Sequence, residues 1–353
     1  MTLVTLAPNR WLDMPPWRGQ RVEHFTWNWV NGVTGEVKGK VFPSSSDPPT
    51  LSHDTSSSVK RQLSINLDSI DTSLIDVITD RILPYVKIGT DPAWPLGRYM
   101  FTNETDSLST GGDRGSFTLL DEGFAIDQQL DQAFSSTDPV NQAIIDLVSQ
   151  VSFIKMDIEP TPFRAVGSFS PGSTRGQALT NYTTQGDYFP YWMGNDSFFH
   201  MIRTRDPAST IPDFDYDTNN LIVLDSIARS SDVLNAPNRF VVIGNSSGAA
   251  KQELVGRYDV PPSAPHSIVS RGFVIPNVVN AQVNTQEQVT AMARNLGIRQ
   301  TIFERISFDT AIDPRRDSYN VTRFRGENWL ELAWSMTCVA GGKVRVTMRK
   351  SYG

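Results

Sequence analysis

Alternating hydrophobic and polar residues predict β-strands throughout the first hundred residues. In the segment 24–30 (HFTWNWV), three aromatic side chains recur at every second position, so we expect them to share one face of a strand. The dipeptide Asn-Gly that follows at 31–32 is the strongest short signal for a β-hairpin. The same alternation predicts further strands at 33–42, 59–68, 81–89 and 98–102.

Two segments lack this alternation. Residues 43–58 are rich in proline and serine without periodicity, which predicts a loop, and 160–220 is an irregular stretch rich in glycine, proline and aromatic residues. After the second segment, short apolar runs predict strands at 221–228 and 239–244. A hairpin around residues 341–342 is expected to close the chain.

A period of three to four residues predicts two clear helices. The first covers 138–151, with Asp138 as its N-cap and a stripe of valine, isoleucine and leucine on one face. The second covers 285–296, where Thr285 begins a capping box and Gly297 is expected to end the helix. Strands therefore dominate both ends and helices occur between them, so the sequence predicts an α+β fold, not βαβ alternation.

The segment 93–102 (AWPLGRYMFT) combines a large apolar anchor with rigid backbone. Pro95 fixes its own φ and favours an extended Trp94, while Gly97 allows a turn that other residues enter only at a cost. No ionisable catalytic residue stands beside it. We therefore predict a structural corner between two strands, with Trp94 buried.

Composition narrows the possible functions. The 353-residue chain has a formal net charge of −6, which disfavours a general nucleic-acid binder, because such proteins need a basic surface. Its one cysteine, Cys338, excludes an internal disulfide and a cysteine-based metal site. We expect neither a signal peptide nor a stable membrane segment, since no apolar run is long enough.

One motif is typical of a serine hydrolase. Residues 244–248 fit the pattern G-x-S-x-G after an apolar strand, with Ser246 as the nucleophile and Asp259 and His266 following in the order acid, then base. However, prolines leave little room for the helix that should follow the serine, and acid and base lie only seven residues apart. A glycine-rich hairpin turn is the preferred interpretation, and the hydrolase is kept as an alternative.

A second motif suggests calcium. Asp213, Asp215 and Asp217 match the first three ligand positions of a calcium-binding loop, but Thr218 replaces the required glycine and Leu224 replaces the final glutamate. The four histidines are isolated from one another in sequence. We therefore predict no metal, no cofactor and no catalytic residue.

A third possibility is recognition of a receptor or glycan. Tyr188, Tyr191 and Trp192 lie in the aromatic stretch 188–192 (YFPYW), and exposed rings of this kind can stack on sugars. Aromatic-rich loops are at least as often found at protein interfaces. This function also remains an alternative at this stage.

The order of these segments resembles the tail hub, or baseplate hub, proteins of long-tailed bacteriophages. The resemblance rests on VKRQLSINLD (59–68), WPLG (94–97), the strand and turn at 235–248, and RGFVIPNVVNAQVNTQEQVTAMARNLG (271–297). It covers most of the chain and is weakest between about 160 and 220.

The resemblance implies a mechanical role. It implies two related tube-like β-barrels, each with a helix, at 1–125 and 225–353, the latter containing the helix 285–296, and a mixed α/β middle lobe at 126–224 between them. Three copies would form a ring with pseudo-sixfold symmetry at the tail tip of the virion, after assembly in the host cytoplasm. Its implied partners are a distal tail protein ring, a tape measure protein, a tip or central fibre protein, and genomic DNA passing through the lumen.

Overall fold

The structure is a computed structural model, and the residues that it describes are 22–68, 75–102, 105–109, 112–151, 154–217, 223–245, 253–283, 285–301, 303–350 and 352. These ranges contain many strands and a few helices, which confirms the predicted α+β class.

The strands and helices follow one another along the chain in three groups. The first group is β1 (Glu23–Asn31), β2 (Val37–Val41), β3 (Thr50–Asp54), β4 (Arg61–Asp68), β5 (Asp80–Ile88), β6 (Trp94–Pro95), β7 (Tyr99–Phe101), β8 (Thr105–Ser109) and β9 (Gly112–Asp121). The second group is α1 (Gly123–Ile126), β10 (Phe134–Ser135), α2 (Val140–Ser149), β11 (Met156–Ile158), β12 (Ser168–Phe169), α3 (Arg175–Gln185), β13 (Trp192–Met193), β14 (Phe199–Met201) and β15 (Phe214–Asp215). The third group is β16 (Val223–Ser231), β17 (Arg239–Asn245), β18 (Glu253–Asp259), α4 (Ile268–Arg271), β19 (Pro276–Ala281), α5 (Gln286–Gln300), β20 (Glu304–Ala311), β21 (Val321–Phe324), β22 (Glu327–Thr337) and β23 (Lys343–Lys350).

One large sheet contains strands from both ends of the chain. Its main path runs β16-β20-β23-β22-β3-β4-β9-β7-β5-β1-β2, with antiparallel neighbours throughout, and β6, β8, β15 and β21 attach beside it. Among the described strands the path is open, and no closed barrel is found. The two barrels and the boundaries at 125/126 and 224/225 stay predictions, although strands from the first and last predicted domains share this one sheet.

The strand β3 joins the parts of the sheet that come from the two ends of the chain. For this segment the sequence prediction was wrong. Residues 43–58 were expected to form a loop, yet Thr50–Asp54 pairs with β22 on one side and with β4 on the other. Leu51 and His53 are buried by these neighbours. One of the two strands that flank it, β22, lies far along the chain, so the polar composition of the segment concealed the strand.

The first hairpin forms largely as the alternation predicted. Trp27 is buried, and Phe25 and Trp29 pack against the same hydrophobic core from its border. The returning strand begins at Val37 and not at residue 33, because the turn extends through Gly35, which has a φ of +74°.

A second core, separate from that of the large sheet, lies between Ile126 and Met201 and is built around α2 and α3; this part of the structure is called the middle lobe below. The apolar stripe of α2 is confirmed, but its predicted cap is wrong: the N-cap is Pro139, and no side chain caps the helix. The helix α3 was not predicted. Thr174 and Gln177 form a complete capping box at its start, and this T-x-x-Q signal was present in the sequence.

The helix α5 packs on a small sheet of order β18-β17-β19. Thr285 caps it as predicted, by accepting a hydrogen bond from the backbone of Gln288. Gly297 does not end the helix, which continues to Gln300. Instead, a Cβ at residue 297 would lie 2.3 Å from the Tyr258 ring, so glycine is needed there for close packing.

Within the described part of the chain, no helix is both long enough and apolar enough to cross a membrane.

Candidate functional site

The segment around Trp94 makes a short strand and a turn at the border of the large sheet. Trp94 pairs with Val86 and is only 3% exposed, and Pro95 pairs with Tyr85. Gly97 has a φ of +102°, and its backbone N–H donates a hydrogen bond to the carbonyl of Asn195 at 3.0 Å. These contacts join the large sheet to the middle lobe at this turn.

A cleft of about 670 Å³ opens beside this turn. It lies between the turn, the middle lobe and the loop 313–320. Trp94 and Pro95 line it together with Trp192, so the structure brings two of the segments singled out in the sequence to one place. The other lining residues are mainly charged or aromatic and include Asp157, Glu159, Asp196, His200, Arg205, Asp213, Arg315, Asp317 and Tyr319.

His200 lies in the wall of this cleft between two carboxylates. Its Nε2 lies 2.9 Å from Asp196 Oδ1, its Nδ1 lies 3.4 Å from Asp157 Oδ2, and its ring stacks on Trp192. Burial alone would lower the pKa of His200, but the hydrogen bonds to Asp157 and Asp196 raise it to about 10. The side chain is therefore a cation at neutral pH and is unsuited to act as a general base.

Asn195 and Arg61 connect the cleft to the large sheet. The guanidinium of Arg61 donates to Asn195 Oδ1 at 2.6 Å and forms an ion pair with Asp317. The Asn195 amide donates to the carbonyls of Pro314 and Arg316, at 3.0 and 2.9 Å. Sequence reasoning missed this network, because its members lie more than a hundred residues apart and have no shared local motif.

The aromatic stretch 188–192 does not form an exposed aromatic surface. Tyr188, Tyr191 and Trp192 are all buried, and the first two belong to the core of the middle lobe. The expectation of exposed aromatics for sugar stacking was therefore wrong. Chain packing accounts for these residues, since Tyr191 stacks on Phe199 at 5.0 Å between ring centroids.

The described residues of the serine hydrolase motif do not form a catalytic pair. Ser246 lies outside the described residues. Asp259 forms ion pairs with Arg239 and Arg257, and the ring nitrogens of His266 have no hydrogen-bond partner in the described structure. The acid and the base are therefore not hydrogen-bonded to each other, as a triad requires.

Two aspartates of the predicted calcium loop accept hydrogen bonds from the backbone of β21 and of the turn after it. Asp213 accepts a hydrogen bond from the N–H of Val321 at 2.8 Å, and Asp217 accepts from the N–H groups of Arg325 and Gly326. Across the described ranges, no group of three or more His, Cys, Asp or Glu side chains could hold a metal ion. In this structure the motif therefore stabilises a turn.

His266 is fully buried in an aromatic setting. Its ring stacks on Phe303 at 4.7 Å and meets Tyr352 edge to face at 5.1 Å, between ring centroids. Burial, helped by the charge of Arg271, lowers the pKa of His266 to about 4. The neutral form of the imidazole is therefore the one that is compatible with the folded state.

We expect this burial to make the protein acid-sensitive. Because the folded pKa lies below the ordinary value of 6.5, stability is complete above pH 6.5 and is lost as the pH falls toward 4, by about 3 kcal/mol at most. The variant His266→Phe keeps the ring packing without the charge. Urea unfolding from pH 7.5 to 4 should show wild type losing stability relative to this variant, whereas parallel profiles would contradict the prediction. His24→Gln, at an exposed position, is the control.

The two ends of the large sheet's path form a second candidate surface. Within the described structure, β2 pairs only with β1 and β16 pairs only with β20, so each leaves one side without a strand. Large apolar side chains are exposed beside both strands. In β2 or next to it along the chain these are Val33, Val37 and Phe42, and in β16 or next to it they are Ile227, Val233 and Leu234.

A fold similar to this large sheet with its helical part is found in solved tail proteins, two of them from prophages. The chain is similar to the 43 kDa tail protein of prophage MuSo2 from Shewanella oneidensis, with a TM-score of 0.58, 11% identity, and coverage of 92% of this chain and 98% of that one. It is also similar to the tail protein from Neisseria meningitidis MC58, with a TM-score of 0.61, 12% identity, and coverage of 92% and 96%. For prophage tail protein gp18 from Listeria monocytogenes EGD-e the TM-score is 0.62, the identity is 8% and the coverage is 93% and 95%.

These similarities confirm, at the level of fold, the resemblance drawn from the sequence. No protein-family profile matches the chain, and no curated protein matches it in sequence. The similarity is therefore one of fold, at 8–12% sequence identity.

Proposed function

We propose that this protein is a structural hub of a phage tail tip. Three copies form a ring of pseudo-sixfold symmetry below the distal tail protein ring and present threefold symmetry to a tip or central fibre protein. The tape measure protein and then the genomic DNA pass through its lumen. In this role the protein belongs to the virion, is not an enzyme and needs no cofactor.

The observation that carries this proposal is that the large sheet is built from strands of both ends of the chain. One part comes from residues 23–121 and the other from 223–231 together with 304–350, and the β3–β22 pairing joins them. Two sheet parts in each copy are what a ring needs if three copies are to present six similar positions. We propose that each part corresponds to one tube-like barrel of the hub.

The charge of the chain is compatible with a channel. A net charge of −6 gives no general attraction for DNA, so DNA passing through the ring would not be held by the wall. In the same proposal the turn at Trp94, Pro95 and Gly97 is a structural corner, which fixes the middle lobe against the sheet.

A glycan-binding role is not retained, because the aromatic side chains that suggested it are buried. The hydrolase is not retained either, because Asp259 and His266 do not form a catalytic pair.

Light scattering on the purified full chain, with negative-stain images of the same peak, tests the proposal. We expect a molar mass three times that of one 353-residue chain, and rings with a central hole. The measurement should be repeated over a wide range of protein concentration, because a ring that closes weakly dissociates on dilution. A single-chain mass without rings at every concentration would contradict the proposal.

A further inference from the structure

We infer that neighbouring copies in this ring join head to tail, with the free side of β2 in one copy pairing with the free side of β16 in the next. This inference rests on the proposed ring and names the surface that forms it. The partner of each edge is a second copy of this chain.

The unpaired backbone of the two edges is the first argument. A strand at the edge of a sheet presents N–H and C=O groups that another strand can satisfy, and natural proteins cover or protect such edges. In the described structure β2 and β16 are the ends of one eleven-strand path, and neither has a second neighbour. Residues 227–231 of β16 are exposed to solvent.

The apolar side chains beside the edges are the second argument. Val37 within β2 is 58% exposed and Phe42 just after it is 74% exposed, while Leu234 is 75% exposed just after β16. Exposed apolar groups that cluster at one place commonly mark an interface. Here apolar side chains are exposed in or next to both end strands of the sheet path, and edge pairing would bring these strands together.

Charge favours pairing between different edges over pairing of like edges. Lys40 is exposed on β2, and Lys38 on the same strand is paired with Asp80, so two β2 strands side by side would bring two lysines from each copy close together. The strand β16 carries one basic residue, Arg229, which forms an ion pair with Glu304, so pairing β2 with β16 brings fewer like charges together. An interface between two different surfaces is also the kind that generates rings, when the rotation between copies closes.

Cysteine cross-linking of the full chain tests the inference. The double variant Lys40→Cys with Ser230→Cys places one exposed thiol on each edge. The native Cys338 is buried, and burial raises the pKa of its thiol to about 12, so it does not compete for the reagent. With a short bismaleimide, we expect covalent dimers and trimers on denaturing gels from the double variant, and monomers from each single variant.

The controls separate the inference from the ring itself. A double variant with exposed thiols away from the edges, Asp131→Cys with Glu287→Cys, should remain monomeric on the gel. Dimers from either single variant would mean that like edges meet. A fast-migrating cross-linked monomer would mean that both edges meet within one chain, and either result would overturn the inference.

Light scattering on the same samples distinguishes the remaining outcomes. A trimeric mass without cross-links from the double variant would overturn the β2–β16 joint and leave the proposed hub in place. A monomeric mass at every concentration would contradict the proposed ring, and therefore both the proposed function and this inference.

Discussion

Replacing Trp94 with alanine is expected to lower the free energy of unfolding by about 3–5 kcal/mol. The indole is 3% exposed and belongs to the core of the large sheet, next to Val86, Leu96 and Tyr99. Its loss would leave a cavity at the point where the sheet is tied to the middle lobe. Urea denaturation followed by far-UV circular dichroism gives the change directly.

Ile211 supplies the control for this measurement. It lines the same cleft but is 87% exposed, so Ile211→Ala should change the free energy of unfolding by less than about 0.5 kcal/mol. If Trp94→Ala unfolds at the same urea concentration as Ile211→Ala, the corner does not support the fold as proposed.

Breaking the buried ion pair between Arg316 and Glu331 should cost a similar amount, about 3–5 kcal/mol for either Arg316→Met or Glu331→Leu. Both side chains are 1% exposed, and Arg316 also donates to the hydroxyl of Tyr216 at 2.7 Å. Burial raises the pKa of Glu331 to about 7, against the opposing effect of Arg316. Each single substitution therefore leaves an uncompensated buried group.

The double variant Arg316→Met with Glu331→Leu makes this test specific. Replacing both charges with apolar groups removes the unpaired charge, so the double variant should be more stable than either single variant. Arg257→Ala, in a partly exposed ion pair with Asp259, should change stability by less than about 1 kcal/mol. Additive losses in the double variant would show that the two side chains act independently.

Local patterns predicted the elements that are half-buried and regular. The alternation around Trp27 located β1, and the three- to four-residue period located α2 and α5, because one face of each element packs on a core. Trp94 is also buried, as expected for a large apolar side chain beside a proline-fixed turn. These features depend on neighbours in sequence.

Features that depend on distant residues could not be predicted. The strand β3 is defined by its pairing with β22, and Arg61 meets Asp317 across 256 positions of sequence. Such contacts leave no periodic pattern in the sequence. The helix α3 is a different case, because the capping box at Thr174 was visible but its weakly apolar helix face hid the helix.

The position of β3 sets the timing of folding during synthesis. Its partner residues in β22 lie about 280 positions later, so at ribosomal rates they appear roughly 15 to 55 s after β3 itself. For that interval the early strands end at an open edge carrying Leu51, which is a site for mispairing. Pairing over such a sequence distance also slows folding once the chain is complete. We therefore expect efficient production to depend on chaperones that protect the nascent N-terminal strands.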